Sequence, residues 1–426
     1  MLKRVGILLF VTAPFVTLAQ PTNSGVSDKD LQLNAITTAM PFLNIAPDSR
    51  TGAMGEAGTA LSPNSNSIYW NTSMLNFAKD DAEISISYTP WLRQLTNDMH
   101  LSYLSGYKKI GRRHAVTGAV RFFSLGKITY RDNQGQFIRD DNPSEFEIVG
   151  GYAFKLAEKF SIGINGKFAY SNLTGGYVTP GAQTKAGIVG ATDISFSYRN
   201  EEAEFAKRDG IMSVGLTLNN IGNKVSYTDV QAEERDFIPM NLKLGAAYTM
   251  KFDSYNNLTW AVDIQKLLVP TPPLKNSNGD IVAGKNNNIG VISGMIQSFY
   301  DAPGVPVKDA QGNPVKNPDG TYQIEKGSKF REELREFNIG TGLEYWYNDM
   351  FAVRGGFFYE HYTKGSRQYF NAGIGVKYKI IGVDISYLAA LKQGNPLANT
   401  IRFSLRFTIN NKTNKSDKSA GEEQPE

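Results

Sequence analysis

The sequence of 426 residues contains no cysteine and only three histidines. Disulfides, thiolate metal sites and a cysteine-linked N-terminal lipid are therefore excluded. The histidines, His100, His114 and His361, are scattered along the chain, which makes a metal site unexpected. A phosphate-binding loop is also missing. We therefore expect neither a metal nor another cofactor.

Long apolar runs are absent as well, so no spanning helix is predicted. At the start, Lys3 and Arg4 precede a short apolar run from Val5 to Val16, and small residues follow up to Ala19. This order is typical of a secretory signal peptide. We predict a signal peptide at 1–19 and a mature chain that leaves the cytoplasm without a helical anchor.

A strong net charge is missing too. The chain has 45 basic and 41 acidic residues, and 43 basic residues remain once the signal peptide takes Lys3 and Arg4 away, a balance of +2. Such a near-neutral chain gives no reason to expect nucleic acid as a partner.

Aromatic residues and glycine are plentiful, with 24 Phe, 21 Tyr and 41 Gly. From residue 82 onward the apolar residues alternate with polar ones, which indicates strands. Most of these segments have roughly 9 to 12 residues, the length that a tilted strand needs to cross a bilayer. We predict fourteen strands, at 82–90, 99–108, 115–124, 144–155, 160–171, 188–199, 211–221, 241–250, 257–268, 337–348, 351–362, 369–380, 381–391 and 400–410.

The connections between these strands alternate in length. Those at 111–114, 157–159, 348–350 and 380–382 are tight, whereas those at 126–143, 174–187, 221–240 and 269–336 are long. Two connections on the short side, 200–210 and 251–256, are longer than ideal. Short turns on one side and long loops on the other are typical of outer-membrane barrels. The fold class predicted is an all-β, transmembrane antiparallel β-barrel of about 14 strands, spanning 81–410, with its long loops at the cell surface.

An even strand count brings both termini to the short-turn side. We therefore expect a periplasmic lead at 20–40 and a polar periplasmic tail at 411–426. Between the lead and the barrel, the segment 41–80 differs from its surroundings, with Gly52, Gly55 and Gly58 at a three-residue spacing and Asn71 after a polar run. Fourteen strands enclose more space than side chains alone can fill. This segment is predicted to be a hatch inside the lumen, and an ordinary glycine-rich coil is the alternative.

Two charged residues of the hatch, Asp48 and Arg50, would need partners if they are buried. Such pairs would hold the hatch in place rather than perform chemistry. The expected partners are lumen-facing residues of the wall, such as Lys243, Asp263, Arg354, Glu360, Arg402 or Arg406.

Two motifs in the hatch carry a family resemblance. MGEAGTAL at 54–61 and SIYWNTSML at 67–75 resemble the hatch of FadL-type outer-membrane channels, although Thr72 stands where that family's Asn-Pro-Ala element has proline. PFLNIAPDSRTGAMGEAGTA at 41–60 resembles the PorV (LptO) family of the type IX secretion system of Bacteroidota, and this resemblance extends to Phe407. It implies a FadL-like barrel that binds the C-terminal domain of secreted cargo leaving the SprA/Sov translocon. The barrel would then carry the cargo to the attachment complex of a PorU-like sortase.

The longest loop, 269–336, contains an apolar stretch between polar flanks. An exposed apolar stretch is typical of a docking surface, and a lid folded over the lumen is the alternative. The predicted partner-binding residues are Ile292, Met295, Ile296, Phe299 and Tyr300. Turn signals at 308–329 and 132–138 predict surface hairpins.

Two other functions remain open. A FadL-type channel for hydrophobic small molecules is the main alternative, and an outer-membrane lipopolysaccharide O-deacylase is a weaker one. Hydrolysis requires a nucleophile, a base and an orienting group within hydrogen-bond reach. His361 and Ser366 are conceivable at the rim, but no nucleophile elbow is present. We predict no catalytic residues and no enzymatic activity. The expected partners are the translocon, the cargo, the sortase complex and outer-membrane lipid.

Overall fold

The structure, a computed structural model, describes residues 33–93, 96, 98–132, 134–173, 178–179, 182–205, 208–228, 235–391 and 397–410. The predicted signal peptide, the part of the lead before residue 33 and the tail 411–426 lie outside these residues.

Fourteen antiparallel strands form a closed barrel, as predicted. The first strand pairs with the last, with Ile86 opposite Leu405, so the main sheet has no open edge. Closure is what a bilayer requires, because unpaired backbone groups would otherwise face hydrocarbon. The barrel strands are Ala82–Pro90, His100–Ile110, His114–Ser124, Ser144–Ala157, Phe160–Asn172, Gly187–Phe205, Arg208–Gly222, Asn241–Lys251, Asn256–Leu267, Phe337–Tyr347, Phe351–Tyr359, Gln368–Tyr378, Ile381–Ala390 and Thr400–Ile409.

The alternation in the sequence separates the two faces of the wall. In the last strand, Arg402 and Ser404 point into the lumen and are buried, whereas Phe403 and Ile409 are exposed on the outside. Successive side chains of a strand point to opposite faces of the sheet. The alternation of polar and apolar residues along each strand therefore gives the barrel a polar lumen and an apolar outer band.

The predicted connection at 200–210 is wrong, because the flanking strands continue through most of it as Gly187–Phe205 and Arg208–Gly222. Glu204 pairs with Asp209 near the tip of this extension. A strand that projects beyond the hydrocarbon no longer needs an apolar outer face, so its polar sequence resembles a loop.

The long connections contain secondary structure of their own. The predicted hairpin at 132–138 lies between the strands Ile128–Arg131 and Phe137–Asp141, which pair with each other. The predicted hairpin at 308–329 contains a bridge between Lys316 and Tyr322. Two further hairpins and two helices complete the connections: Val178–Thr179 with Ala182–Gln183, Leu274–Lys275 with Ile281–Ala283, Val291–Gln297, and Ser328–Leu334. Among the described residues, no helix is long and apolar enough to cross a membrane.

The hatch segment lies inside the barrel, where it forms short helical turns: Pro41–Asn44, Ser49–Gly52, Ser67–Trp70 and Thr72–Phe77. At its start, Phe42 and Leu43 pack with Ile238 and Leu268 at the long-loop end. At its end, the carbonyl of Ala78 accepts a hydrogen bond from Lys109 Nζ near the short turns. The segment therefore crosses the lumen once from end to end.

The described part of the lead, 33–40, differs from its expected position. The Asn34 N–H donates to Thr363 O at 3.1 Å, and the Ala39 N–H donates to Phe237 O at 2.9 Å. Both acceptors belong to connections on the long-loop side of the barrel, so this part lies at the long-loop end and not beside the short turns. The physical reason is the apolar packing of Phe42 and Leu43, which places the entry to the hatch at that end.

Candidate functional site

The lumen-filling segment, which we call the plug (residues 41–80), is held together internally by Asp48. Its Oδ2 accepts a hydrogen bond from the Thr51 N–H at 2.8 Å and caps the helix Ser49–Gly52. Its Oδ1 accepts from the Trp70 Nε1–H at 2.7 Å. The partners of Asp48 thus lie within the plug, and they differ from the wall charges expected for it. One buried carboxylate joins the helix Ser49–Gly52 to the helix Ser67–Trp70.

Arg50 joins the plug to the wall. Its Nε and Nη2 donate to the two carboxylate oxygens of Glu344 at 2.8 and 2.7 Å, and its Nη1 donates to Ser62 O at 2.8 Å. Glu344 and Arg50 are both buried. Because a bidentate guanidinium–carboxylate pair fixes both distance and orientation, this contact positions the helix Ser49–Gly52 against the strand Phe337–Tyr347.

The ion pair continues along the wall. Arg354 donates to Glu344 at 2.6 Å and to Asp384 at 2.7 Å, and Asp384 also accepts from Arg406 at 2.9 Å. Alternating charges compensate one another, which a buried ion pair requires. Three arginines and three carboxylates take part: Arg50, Glu344, Arg354, Asp384, Arg406 and Glu83.

Asp263 holds the next part of the plug through its backbone. Its Oδ2 accepts from the N–H groups of Gly58 and Thr59, each at 2.9 Å, and from Thr59 Oγ1 at 2.6 Å. Three donors converge on one buried oxygen of the strand Asn256–Leu267. This wall charge was expected to pair with a charged residue of the hatch, and it instead binds two main-chain N–H groups and the Thr59 hydroxyl.

Gly55 marks the closest approach of plug and wall. Its φ is +65°, and a Cβ built on it would lie 2.4 Å from Phe357 O. On the wall, a Cβ on Gly356 would lie 2.1 Å from Gly55 N. Both positions therefore require glycine for space, and Gly55 also requires it for conformation. The other two predicted hatch glycines are also confined, Gly58 by Trp70 and Gly52 by Arg402.

Asn71 and Thr72 anchor the end of the plug. Asn71 Nδ2 donates to Thr59 O at 2.9 Å, and its Oδ1 accepts from the Ser73 N–H at 3.1 Å. Thr72 Oγ1 donates to Asn165 Oδ1 of the wall at 2.7 Å. The residue that departs from the FadL-type pattern thus supplies a hydrogen bond that proline could not make.

The remaining wall charges expected near the hatch have different surroundings. Lys243 Nζ lies 4.7 Å from the ring centroid of Trp70, a cation–π contact with the plug. Arg402 lies 3.6 Å from Glu56 of the plug. Glu360 instead pairs with Arg367 at 2.9 Å in a surface connection and does not hold the plug.

The predicted partner-binding residues lie in and just after the helix Val291–Gln297 at the long-loop end. Met295 is partly buried and packs against the apolar cluster that contains Ile238 and Leu268. The other four are exposed and form what we call the loop-end apolar surface: Ile292 at 62 %, Ile296 at 60 %, Phe299 at 45 % and Tyr300 at 55 % exposed.

The histidines lie apart from one another and from the plug. His114 contacts the Tyr152 hydroxyl at 2.5 Å, and His361 Nδ1 lies 2.9 Å from Thr363 Oγ1. Ser366 contacts His361 through its backbone, with its N–H donating to His361 O at 3.2 Å. Among the described residues, no group of three or more His, Asp or Glu side chains could hold a metal ion.

Two wall carboxylates that complete the ion-pair network, Glu344 and Asp384, were not predicted from the sequence. Both occupy lumen-facing positions of their strands, next to exposed Leu343 and Val383. A charge that alternates with apolar residues in a membrane strand is therefore a usable signal for a lumen site. Its partner cannot be read from the sequence, because Arg50 and Glu344 lie 294 positions apart.

The closed barrel, its apolar outer face and its internal plug define a plugged outer-membrane β-barrel. The profile of the family described as type IX secretion system protein PorV matches residues 28–274, more than half of the chain. The chain therefore belongs to the PorV family, as the sequence resemblance predicted.

Several solved barrels are similar to this chain. The CymD monoaromatic hydrocarbon channel has 12 % sequence identity and a TM-score of 0.45, covering 86 % of this chain and 98 % of CymD. The toluene transporter TodX of P. putida has 10 % identity and a TM-score of 0.45, covering 86 % and 99 %. A FadL homologue of Pseudomonas aeruginosa has 10 % identity and a TM-score of 0.42, covering 88 % and 99 %. No curated protein sequence matches the chain.

Proposed function

We propose that this PorV-family barrel binds the C-terminal domain of secreted cargo as the cargo leaves a SprA/Sov-like translocon. The barrel then carries the cargo to the attachment complex of a PorU-like sortase. The observation that carries this proposal is the loop-end apolar surface, on which Ile292 and Ile296 are 62 % and 60 % exposed. Clustered exposed apolar side chains are typical of surfaces that bind a partner.

The packing of the helix that carries this surface favours a docking site over a lid that folds onto the lumen. Gly294 faces inward, and a Cβ built on it would lie 2.9 Å from the Phe237 ring. Met295 packs into the apolar cluster at the mouth of the barrel. The helix Val291–Gln297 is thus seated on one side and presents Ile292 and Ile296 on the other.

The firmly held plug is consistent with a barrel that binds its partners at the loop end and does not pass them through its lumen. Arg50 and Asp263 connect plug and wall through buried, charge-assisted hydrogen bonds. Expelling the plug would separate the buried ion pairs, which is strongly unfavourable. A folded cargo domain would therefore be handled at the loop end and would not pass through the lumen.

The test is a pull-down of the tagged protein from outer membranes solubilised in mild detergent. We expect the unaltered protein to recover a very large barrel, or secreted proteins that still carry their C-terminal domains. The double variant Ile292→Ser and Ile296→Ser should lose these partners and keep the heat-modifiable migration of a folded barrel. Phe137→Ser with Ile138→Ser is the matched control, because both residues are exposed and apolar on another loop.

Two results would count against the proposal. One is full partner recovery by the Ile292→Ser and Ile296→Ser variant, which would make the helix only a lid. The other is secretion of normally processed cargo by cells that lack the protein, since the proposal predicts that unprocessed cargo accumulates inside such cells.

A channel for hydrophobic small molecules is the second candidate, and one cavity favours it. A space of about 340 Å³ lies between the plug and the wall, with Phe42, Trp91 and Leu388 among its lining. Uptake of a hydrophobic substrate that falls on filling this space with Leu388→Trp, while secretion continues, would favour the channel. Loss of secretion with unchanged uptake on deletion of the protein would favour cargo handling.

A further inference from the structure

The helix Ser328–Leu334 buries its polar face and exposes its apolar face, the opposite of a helix packed on an apolar core. Ser328 and Glu332 are buried against the protein, whereas Phe330 and Leu334 are 69 % and 54 % exposed. Residues four apart share one face of a helix, so Phe330 and Leu334 form an outward apolar stripe. An amphipathic helix normally buries such a stripe.

Buried ion pairs fix this orientation. Glu332 accepts from Lys364 at 2.7 Å, and Glu336, just after the helix, accepts from Lys266 at 2.5 Å and from Lys364 at 3.0 Å. Asn34 also donates to Glu332 at 3.2 Å. Rotating the helix to bury its apolar stripe would strand these charges without partners, which is strongly destabilising. The stripe therefore stays outward and is available to a surface outside this part of the chain.

The helix lies over the outer rim of the barrel wall. Lys266 is on the same face of its strand as the lipid-facing Ile264, and it pairs in register with Phe337, yet it is only 1 % exposed. Its amine reaches Glu336, so the segment after the helix covers the outer face of the wall at this height. Below it, Ile339 continues the exposed apolar band. The stripe is therefore continuous with the surface that meets the bilayer.

The exposed side of the helix is also basic. Lys329 and Arg331 flank Phe330, Lys326 precedes the helix, and all three are exposed. Within the described part of the chain, none of these cations forms an ion pair with a carboxylate. Cations next to exposed apolar side chains fit the boundary between phosphate headgroups and acyl chains.

We propose that the helix Ser328–Leu334 is an interfacial anchor that binds an anionic, phosphate-bearing lipid of the outer leaflet. Phe330 and Leu334 enter the acyl region at the rim, and Lys329 and Arg331 contact the lipid phosphate. Charge complementarity and continuity with the lipid-facing wall select this occupant over a protein partner. The proposal depends on the barrel in its membrane and is independent of cargo binding.

The absence of cysteine allows a direct test with the full chain. A Leu334→Cys variant carries an environment-sensitive fluorophore and is reconstituted into phosphatidylcholine vesicles. These vesicles contain either brominated phosphatidylcholine or brominated phosphatidylglycerol at the same mole fraction. We expect quenching by both lipids and stronger quenching by the anionic one. A fluorophore on Gln311→Cys, at an exposed loop tip, should stay unquenched.

The charge requirement is tested in the same Leu334→Cys protein. Lys329→Gln with Arg331→Gln should lower the preference for brominated phosphatidylglycerol by about tenfold or more, because cations near an anionic surface attract its lipids. Lys275→Gln with Lys316→Gln, two exposed lysines on other parts of the same loop, should leave the preference unchanged. An unquenched label at Leu334 would overturn the anchor. Equal quenching by the two brominated lipids would overturn the assignment of an anionic lipid.

Discussion

Arg50 of the plug and Glu344 of the wall form two parallel hydrogen bonds, of 2.8 and 2.7 Å, across 294 positions of sequence. Both side chains are buried, and Arg354 completes the coordination of Glu344. A buried ion pair contributes little net stability when compared with an apolar pair, but removal of one partner is severe. This pair therefore fixes where the plug sits rather than simply adding to stability.

Arg50→Ala is the direct test of this role. The change leaves Glu344 paired only with Arg354 and leaves Ser62 O without its donor. We expect a loss of about 3–5 kcal/mol in the free energy of unfolding. Urea titration of the detergent-solubilised barrel, followed by its heat-modifiable migration in gels, measures this loss.

The control for Arg50→Ala is an exposed pair on a loop. Lys127 and Asp140 lie 2.6 Å apart but are 55 % and 34 % exposed. Lys127→Ala should leave the free energy of unfolding nearly unchanged, because exposed ion pairs are screened by water. Equal losses in the two variants would show that Arg50 does not anchor the plug.

Gly356→Ala tests the close approach of plug and wall. The new methyl group would lie 2.1 Å from Gly55 N, and main chain cannot move aside as a flexible side chain does. Overpacking of this kind costs about 1–3 kcal/mol, and relief requires the plug to shift. We expect lower stability and higher ion conductance in planar bilayers, because a displaced plug opens the lumen.

Gly355 supplies the matched control one residue earlier. It faces outward, and a Cβ built on it meets nothing within 4 Å. Gly355→Ala should therefore leave both stability and conductance unchanged. A conductance increase in Gly355→Ala, or none in Gly356→Ala, would contradict the assignment of Gly356 as a contact site for the plug.

The fold could be read from the sequence because one local rule, alternation, applies to nearly every strand. The rule fails where the bilayer no longer imposes it, as at 200–204, where mostly polar residues continue a strand beyond the membrane. The tight and long connections can also be recognised from local sequence, because each one marks a place where the chain reverses direction. Strand number and antiparallel order follow from these local signals, whereas strand ends depend on where the hydrocarbon stops.

For the contacts of the plug, the sequence could predict the type of partner but not which residue it is. Burial of Arg50 requires an acidic partner, but which carboxylate meets it depends on the register of the whole barrel. Asp48 is satisfied by Trp70 within the plug, an outcome that charge alone does not indicate. The course of the lead also depends on tertiary structure, since packing of Phe42 at the loop end decides it.

Thr72→Val tests the residue that departs from the FadL-type pattern. The substitution keeps the shape and removes the hydroxyl that donates to Asn165 Oδ1 at 2.7 Å. A buried acceptor left without its donor costs about 1–3 kcal/mol. We expect this decrease in urea titration, with Thr72→Ser close to the unaltered protein. If Thr72→Ser loses as much as Thr72→Val, packing of the methyl group and not the hydrogen bond is responsible.

The buried carboxyl of Asp301, in the longest loop, should make the stability of the folded loop on the barrel depend on pH. Burial, together with the neighbouring carboxylates Glu336 and Glu333, raises the pKa of Asp301 to about 6. In the unfolded loop this carboxyl has its ordinary pKa near 3.8. The folded loop therefore binds more protons between these two values, and its stability falls as the pH rises from about 4 to about 6.

Hydrogen exchange of the backbone amides in the helix Ser328–Leu334 measures this effect at about pH 5 and about pH 7, after correction for the intrinsic exchange rate. We expect greater protection at the lower pH, and we expect Asp301→Asn to be protected at both. His361 opposes the effect, because burial, Arg335 and Lys364 lower its pKa and its protonation in acid adds a repelling charge. The comparison is therefore repeated in His361→Gln, where protection should rise further at low pH. Protection that is independent of pH in both backgrounds would show that Asp301 does not control the attachment of the loop.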